Sequence, residues 1–171
     1  MVVASMTVGP TSVGPTSVGL RNVELATEHD TRRFGRTIGA LLEPGDLVLL
    51  AGPLGAGKTV LAKGIAEGLG VEGRVSSPTF IIAREHRPAP GGRGIPLVHV
   101  DAYRLGDDLA QLDDLDLDSA LTEAAVVVEW GESAERLSAD HLLIKITRSD
   151  DDTRLAEVRP KGKWENRWPG V

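Results

Sequence analysis

Leu47-Val48-Leu49-Leu50-Ala51-Gly52-Pro53-Leu54-Gly55-Ala56-Gly57-Lys58-Thr59 joins two signals in direct succession. The first five residues are an apolar run of strand length. The next eight fit G-x-x-x-x-G-K-[ST], the phosphate-binding P-loop. Beyond them Leu61, Ile65 and Leu69 recur at helical spacing. A strand, a glycine-rich loop and a helix in that order are the context such a loop requires.

The residue types follow from the ligand. A nucleoside triphosphate brings several negative charges that must be held with little side-chain bulk. Glycines let successive backbone N–H groups turn inward toward the phosphates. The helix that starts near Gly57 aims unpaired amides and a positive dipole end at the same anion. The nucleotide-binding set is therefore Gly52, Leu54, Gly55, Ala56, Gly57, Lys58 and Thr59. Lys58 is placed to reach the β- and γ-phosphates, and the Thr59 hydroxyl to ligate Mg²⁺.

The rest of the chain fits around this unit. Its 171 residues suit one domain with a real core, and 41% hydrophobic with 26% charged residues is ordinary for a globular protein. Without cysteine, neither disulfides nor thiolate metal sites are available. No apolar run approaches the roughly 20 residues that span a bilayer, and the start lacks a signal-peptide pattern. A cytoplasmic location away from membranes is expected. The net charge of −6 argues against a protein whose main task is gripping nucleic acid. Two basic groups, Arg84/Arg87/Arg93 and Arg154/Arg159/Lys161/Lys163/Arg167, read as solvated surface charge. Docking to an acidic partner or RNA is the alternative.

Residues 9–19 repeat Gly-Pro-Thr-Ser-Val, so residues 1–20 are expected as a disordered tail. The P-loop domain is expected over 21–160 and a C-terminal tail over 161–171. An edge strand is read at 23–27, and a helix opened by Asp30 or Thr31 with Phe34, Ile38, Leu41 and Leu42 on its apolar face. Ser76 to Ile82 reads as a loop entering a strand, 88–96 as a hairpin connection, and Pro96 to Tyr103 as a strand around Leu97-Val98-His99-Val100-Asp101. One or two short helices follow over 105–121. The continuous run 124–129 reads as a central strand buried on both faces, and 142–147 with 155–159 as an antiparallel pair. Two long helices are too few to cover a large parallel sheet. The fold class is α/β, a P-loop NTPase-like three-layer fold with a mixed central sheet.

A P-loop needs an acidic residue at the end of a neighbouring strand to hold metal or orient water. Glu129 after Val126-Val127-Val128 and Asp101 after Leu97-Val98-His99-Val100 are both so placed. Thr79, in the loop after the P-loop helix, reads as a switch-type candidate or as a turn-capping Thr after Pro78. Trp130 reads as stacking on a base or partner, or as core, and His99 as a satisfied structural histidine. The acidic residues of 107–118 lack the glycine turn and closing Glu of a calcium loop, and read as a solvated helix face.

Taken together, residues 52–59, Ser77-Pro78-Thr79-Phe80, His99-Val100-Asp101-Ala102-Tyr103-Arg104-Leu105 and Val128-Glu129-Trp130 resemble the ordered signature of the bacterial TsaE (YjeE) ATPases. The resemblance runs from about residue 23 to about 148. It implies Mg²⁺-dependent ATP binding, slow hydrolysis, and association with the TsaB–TsaD heterodimer, whose TsaD subunit transfers threonylcarbamoyl to tRNA. The tRNA is then met only through that complex. By matching position, the resemblance gives Lys58 and Thr59 the phosphates and Mg²⁺, and Glu129 a share of the metal. It makes Asp101 and Thr79 catalytic or switch residues, sets Trp130 near the nucleotide, and places Thr31 at the adenine end. Pro53 departs from the acidic residue common there, and Val60 from a second Thr. A small-molecule or nucleotide kinase is the competing reading, but no lid-like segment of adequate length is evident. A GTPase is weakened by the lack of an N-K-x-D string.

Overall fold

All five residues of the strand before the P-loop are buried, because strands flank it on both edges and a core layer covers each face. The computed structural model describes residues 21–76, 82–106 and 108–169. The N-terminal repeat and the segment carrying Thr79 lie outside the described residues. Seven strands form one sheet: β1 (Arg21–Leu25), β2 (Leu47–Ala51), β3 (Ala83–His86), β4 (Leu97–Asp101), β5 (Ala125–Glu129), β6 (His141–Arg148) and β7 (Arg154–Lys161). Their spatial order is β1-β7-β6-β2-β5-β4-β3. The inner strands β6, β2, β5 and β4 run parallel, while β1, β7 and β3 pair antiparallel at the margins. This is the expected mixed sheet.

The period-2 alternation of the inner strands sorts the core into two layers. Val48, Leu50, Ala125, Val127 and Ile144 face one side, and Leu47, Leu49, Val126, Val128 and Leu143 the other. The first side is covered by α1 (Glu28–Leu41) and α2 (Lys58–Leu69), which bury Phe34, Ile38, Leu61, Ile65 and Leu69. Among the described residues the second carries only short pieces: 3₁₀ turns at Tyr103–Leu105 and Gly131–Leu137, with α3 (Leu109–Asp113) and α4 (Leu117–Ala120).

Helix α1 begins earlier than Asp30 or Thr31. The Thr27 hydroxyl accepts from Asp30 N at 3.1 Å, and the Asp30 carboxylate accepts from Thr27 N at 3.1 Å. This reciprocal capping box satisfies two otherwise orphaned donors and fixes the start at Glu28. Along the seam with α2, four glycines let the backbones approach. A Cβ on Gly39 would lie 2.1 Å from the Ile65 carbonyl oxygen, and one on Gly68 2.1 Å from that of Arg36.

Residues 161–169, expected as a tail, pack as part of the first layer. The helix α5 (Trp164–Arg167) buries Trp164 completely, and Trp168 meets Phe34 edge-on with ring centroids 6.2 Å apart. Arg167 lies over the Trp164 ring at 3.9 Å and pairs with Asp46 and Glu43 in the α1–β2 loop. The tryptophans carry large apolar area, which a chain end this short hides only by docking.

Candidate functional site

The parallel strands β2, β5 and β4 end side by side, and their carboxyl ends carry the candidate chemistry. The β4–β5 register sets Asp101 opposite Glu129, and the β2–β5 register sets Leu50, two residues before the P-loop, opposite Glu129 as well. Such strand ends are where open α/β sheets bind ligands.

From Leu50 the chain turns through the loop into α2. Gly52 has φ 134°, and a Cβ there would meet the Ile146 carbonyl oxygen at 2.2 Å, so no side chain fits. Gly57 is the N-cap of α2 with φ 111° and supplies no side-chain cap. The first amides of α2 are thus left to a ligand at the helix's positive end. Lys58, only 5% exposed, folds back over the loop: its Nζ donates to the Gly52 carbonyl at 2.7 Å and the Pro53 carbonyl at 2.8 Å. It also lies 3.7 Å from the centre of the Trp130 ring. Burial lowers the Lys58 pKa, against the opposing pull of Glu129, Glu132 and Asp101.

Thr59 Oγ1 donates to Glu129 Oε2 at 2.8 Å, and His99 Nε2 donates to Glu129 Oε1 at 2.8 Å. Glu129 and His99 are 2% and 1% exposed, so both carboxylate oxygens have a partner inside the protein. Asp101 is half-buried at the next strand end, where its Oδ1 accepts from Tyr103 N at 3.1 Å. Trp130 takes a left-handed conformation, φ 60°, uncommon for a bulky residue. That turn lays its ring against Tyr103, centroids 4.9 Å apart, and over Lys58.

These groups surround a cavity of about 360 Å³. Of the residues singled out in the sequence, Leu54, Gly55, Gly57, Lys58, Thr59, Asp101, Glu129 and Trp130 line it. Gly52 and Ala56 shape the loop from beneath, and Thr79 falls outside the described residues. Thr31 is not among the residues that line the cavity. It is fully buried, with its hydroxyl donating to the Thr27 carbonyl at 3.2 Å, and Glu28 is the α1 residue in the wall. The earlier helix start explains this, since it brings the first turn of α1 to the rim.

Sequence reasoning missed Glu28, Val60, Tyr103 and Arg154 as lining residues. Tyr103 lay within a string already singled out, and a 3₁₀ turn after β4 brings it to the site. Glu28 carried a weak signal as a first-turn acidic residue. Arg154 opens β7, far along the chain, and only the strand order reveals it. His99 is satisfied, as read, but its partner is the site carboxylate itself.

The donor set fits a polyphosphate with a hard divalent cation. Among the described residues no three His, Cys, Asp or Glu side chains gather to hold a metal by themselves. A lone hydroxyl beside a carboxylate instead suits Mg²⁺, which keeps waters and shares phosphate oxygens. Lys58, resting on two carbonyls, has the reach to exchange them for an anion.

Comparison with known proteins agrees in extent with this site. The family model for "Threonylcarbamoyl adenosine biosynthesis protein TsaE" matches residues 25–156. A Streptomyces coelicolor protein named tRNA threonylcarbamoyladenosine biosynthesis protein TsaE is 54% identical over 129 residues, covering 75% of this chain and 85% of that one. The protein of the same name from Bacillus subtilis is 40% identical over 127 residues, 73% and 76% of the two chains. The crystal structure of Bacillus subtilis YdiB superposes with a TM-score of 0.67 at 30% identity, covering 90% of this chain and 94% of that one.

Proposed function

This chain belongs to the TsaE family of threonylcarbamoyl adenosine biosynthesis proteins, and from that premise we propose that it is an Mg²⁺-dependent ATPase. Its nucleotide cycle supports tRNA N6-threonylcarbamoyladenosine formation by the TsaB–TsaD complex in the cytoplasm. The observation that carries this reading is the contact of the Thr59 hydroxyl with Glu129 at the foot of the P-loop. It pairs a hydroxyl and a carboxylate where a P-loop enzyme holds its metal.

In this reading Lys58 exchanges the Gly52 and Pro53 carbonyls for phosphate oxygens, while the amides at the start of α2 take the rest of the anion. Thr59 and Glu129 would hold Mg²⁺, with His99 keeping the carboxylate in place. Mg²⁺ held there would supply positive charge to offset the negative charge of the phosphates. Asp101 stands at the adjacent strand end to orient water, and Thr79 is a further candidate for that neighbourhood. Trp130, Tyr103, Glu28 and Arg154 wall the cavity around the nucleotide.

Calorimetry with Mg·ATP and Mg·GTP tests the binding. ATP is expected to bind in preference to GTP. Lys58→Ala is expected to weaken ATP by about 100-fold, since it removes charge-assisted bonds worth about 1.5–3 kcal/mol each. Adding the protein to TsaB, TsaD and tRNA is expected to raise turnover of the modification only when ATP is hydrolysed. ATP affinity unchanged in Lys58→Ala, or modification indifferent to the protein, would sink the reading.

A further inference from the structure

Helix α2 borders a second cavity, of about 450 Å³, that shares no residue with the first. Its charged lining comes from three segments: Arg32 on α1, Lys63 and Glu67 on α2, and Arg74 in the loop after α2. Ala66, Val71 and Val75 supply an apolar floor. Glu67 is the sole carboxylate in this lining, and it is already engaged by Arg32 and by Arg36, the latter at 3.1 Å. The Arg32 guanidinium beside it, helped by Arg36, holds its carboxyl below the usual range. Lys63 and Arg74 make no hydrogen bond or ion pair among the described residues.

This groove differs from the basic groups that stand out in the sequence, several of which are occupied within the fold. Arg93 donates to the Gly39 carbonyl at 3.1 Å, Arg159 pairs with Glu157, and Arg167 pairs with Glu43 and Asp46. The groove is also locally positive in a chain whose net charge is −6, so composition alone does not account for it.

We propose that this groove docks an acidic segment of a protein partner, whose carboxylates pair with Lys63 and Arg74 while its apolar side chains rest on Ala66, Val71 and Val75. The inference rests on the reading above that the chain works on a protein assembly. Two observations favour a protein segment over RNA. The net charge of −6 opposes a long polyanion more strongly than a short acidic strip, and Ala66, Val71 and Val75 offer contact to apolar side chains rather than to a phosphate backbone. The two cations left without a partner among the described residues, Lys63 and Arg74, stand on separate segments, which suits a strip of carboxylates better than one small anion. Seated there, the partner grips the helix whose first residues, Lys58 and Thr59, line the nucleotide cavity. Any coupling between the two sites then runs through α2 and is reciprocal.

The test is titration of the full chain into purified TsaB–TsaD heterodimer at low and high salt. Lys63→Glu with Arg74→Glu is expected to weaken association at least about tenfold and to remove most of its salt dependence. Its Mg·ATP affinity should stay within about twofold of wild type. Lys63→Ala with Arg74→Ala should fall between, and carries the test if the charge reversal impairs folding. Equal association of wild type and the charge-reversed variant overturns the proposal while leaving the functional reading intact. Failure of the wild type itself to associate removes that reading and the proposal together. Loss of binding to a tRNA transcript, with heterodimer binding retained, assigns the groove to RNA and overturns the protein segment.

Discussion

Lys58 is a cation held where water is scarce. Two carbonyl bonds and the Trp130 ring compensate it, yet burial still lowers its pKa from the ordinary 10.5. The unfolded chain therefore holds this proton more tightly than the folded one. Stability then rises with pH between the depressed value and 10.5, and below that window the charged lysine costs the fold its full penalty. Lys58→Met is expected to melt no lower than wild type at pH 7 without nucleotide. That advantage should shrink as pH climbs toward 10.5, and melting curves in which it widens would contradict the sign. His99 acts through a different residue. Replacing it with Phe leaves Glu129 Oε1 without its donor in a buried site. Mg²⁺ affinity of the ATP complex should fall about 10- to 100-fold, the range for lost outer-shell partners. Metal-free ATP binding should hold, and Gln, which keeps a donor, should recover part of the loss. Equal Mg²⁺ titrations for His99→Phe and wild type would remove the positioning role.

At the scale of elements, the seam between α1 and α2 depends on atoms that are missing. Ordinarily Gly→Ala inside a helix stabilises by about 1 kcal/mol. Gly39→Ala should do the reverse, because its Cβ would sit 2.1 Å from the Ile65 carbonyl oxygen, a backbone atom that cannot swing aside. A net loss of about 1–3 kcal/mol in urea unfolding is expected, the range for overpacking. A gain would show that the helices part at little cost. This seam was not legible in the sequence, since glycine carries no apolar signal and the helical reading followed Phe34, Ile38, Leu61 and Ile65. The inner strands were legible because strands buried on both faces are written as unbroken apolar runs, as in β2 and β5. The start of α1 was misplaced for want of recognising Thr27 and Asp30 as a capping pair.

For the whole molecule, the parts of the site that could be read lie in short strings at strand ends: the P-loop, Asp101 and Glu129. Glu28 and Arg154 reach the same cavity only because β1, β7 and β6 return the chain alongside β2. Nothing local announces that return. The same holds for the chain end. The family match stops at residue 156, and every P-loop residue lies within it. The core does not stop there. Trp164 is fully buried, Trp168 packs on Phe34, and Arg167 ties α5 to Asp46 and Glu43. Trp164→Ala should cost about 3–5 kcal/mol, as for other buried Trp truncations. For a chain of this size that is a fall in melting temperature on the order of 10 °C. Deleting residues 162–171 removes both tryptophans and the Arg167 pairs at once, against a total stability of only about 5–15 kcal/mol. The shortened chain should be largely unfolded near 37 °C and should bind Mg·ATP poorly although its whole P-loop is present. Thermal melts matching the full chain would instead make the matched region a self-sufficient folding unit and α5 an ornament on its surface.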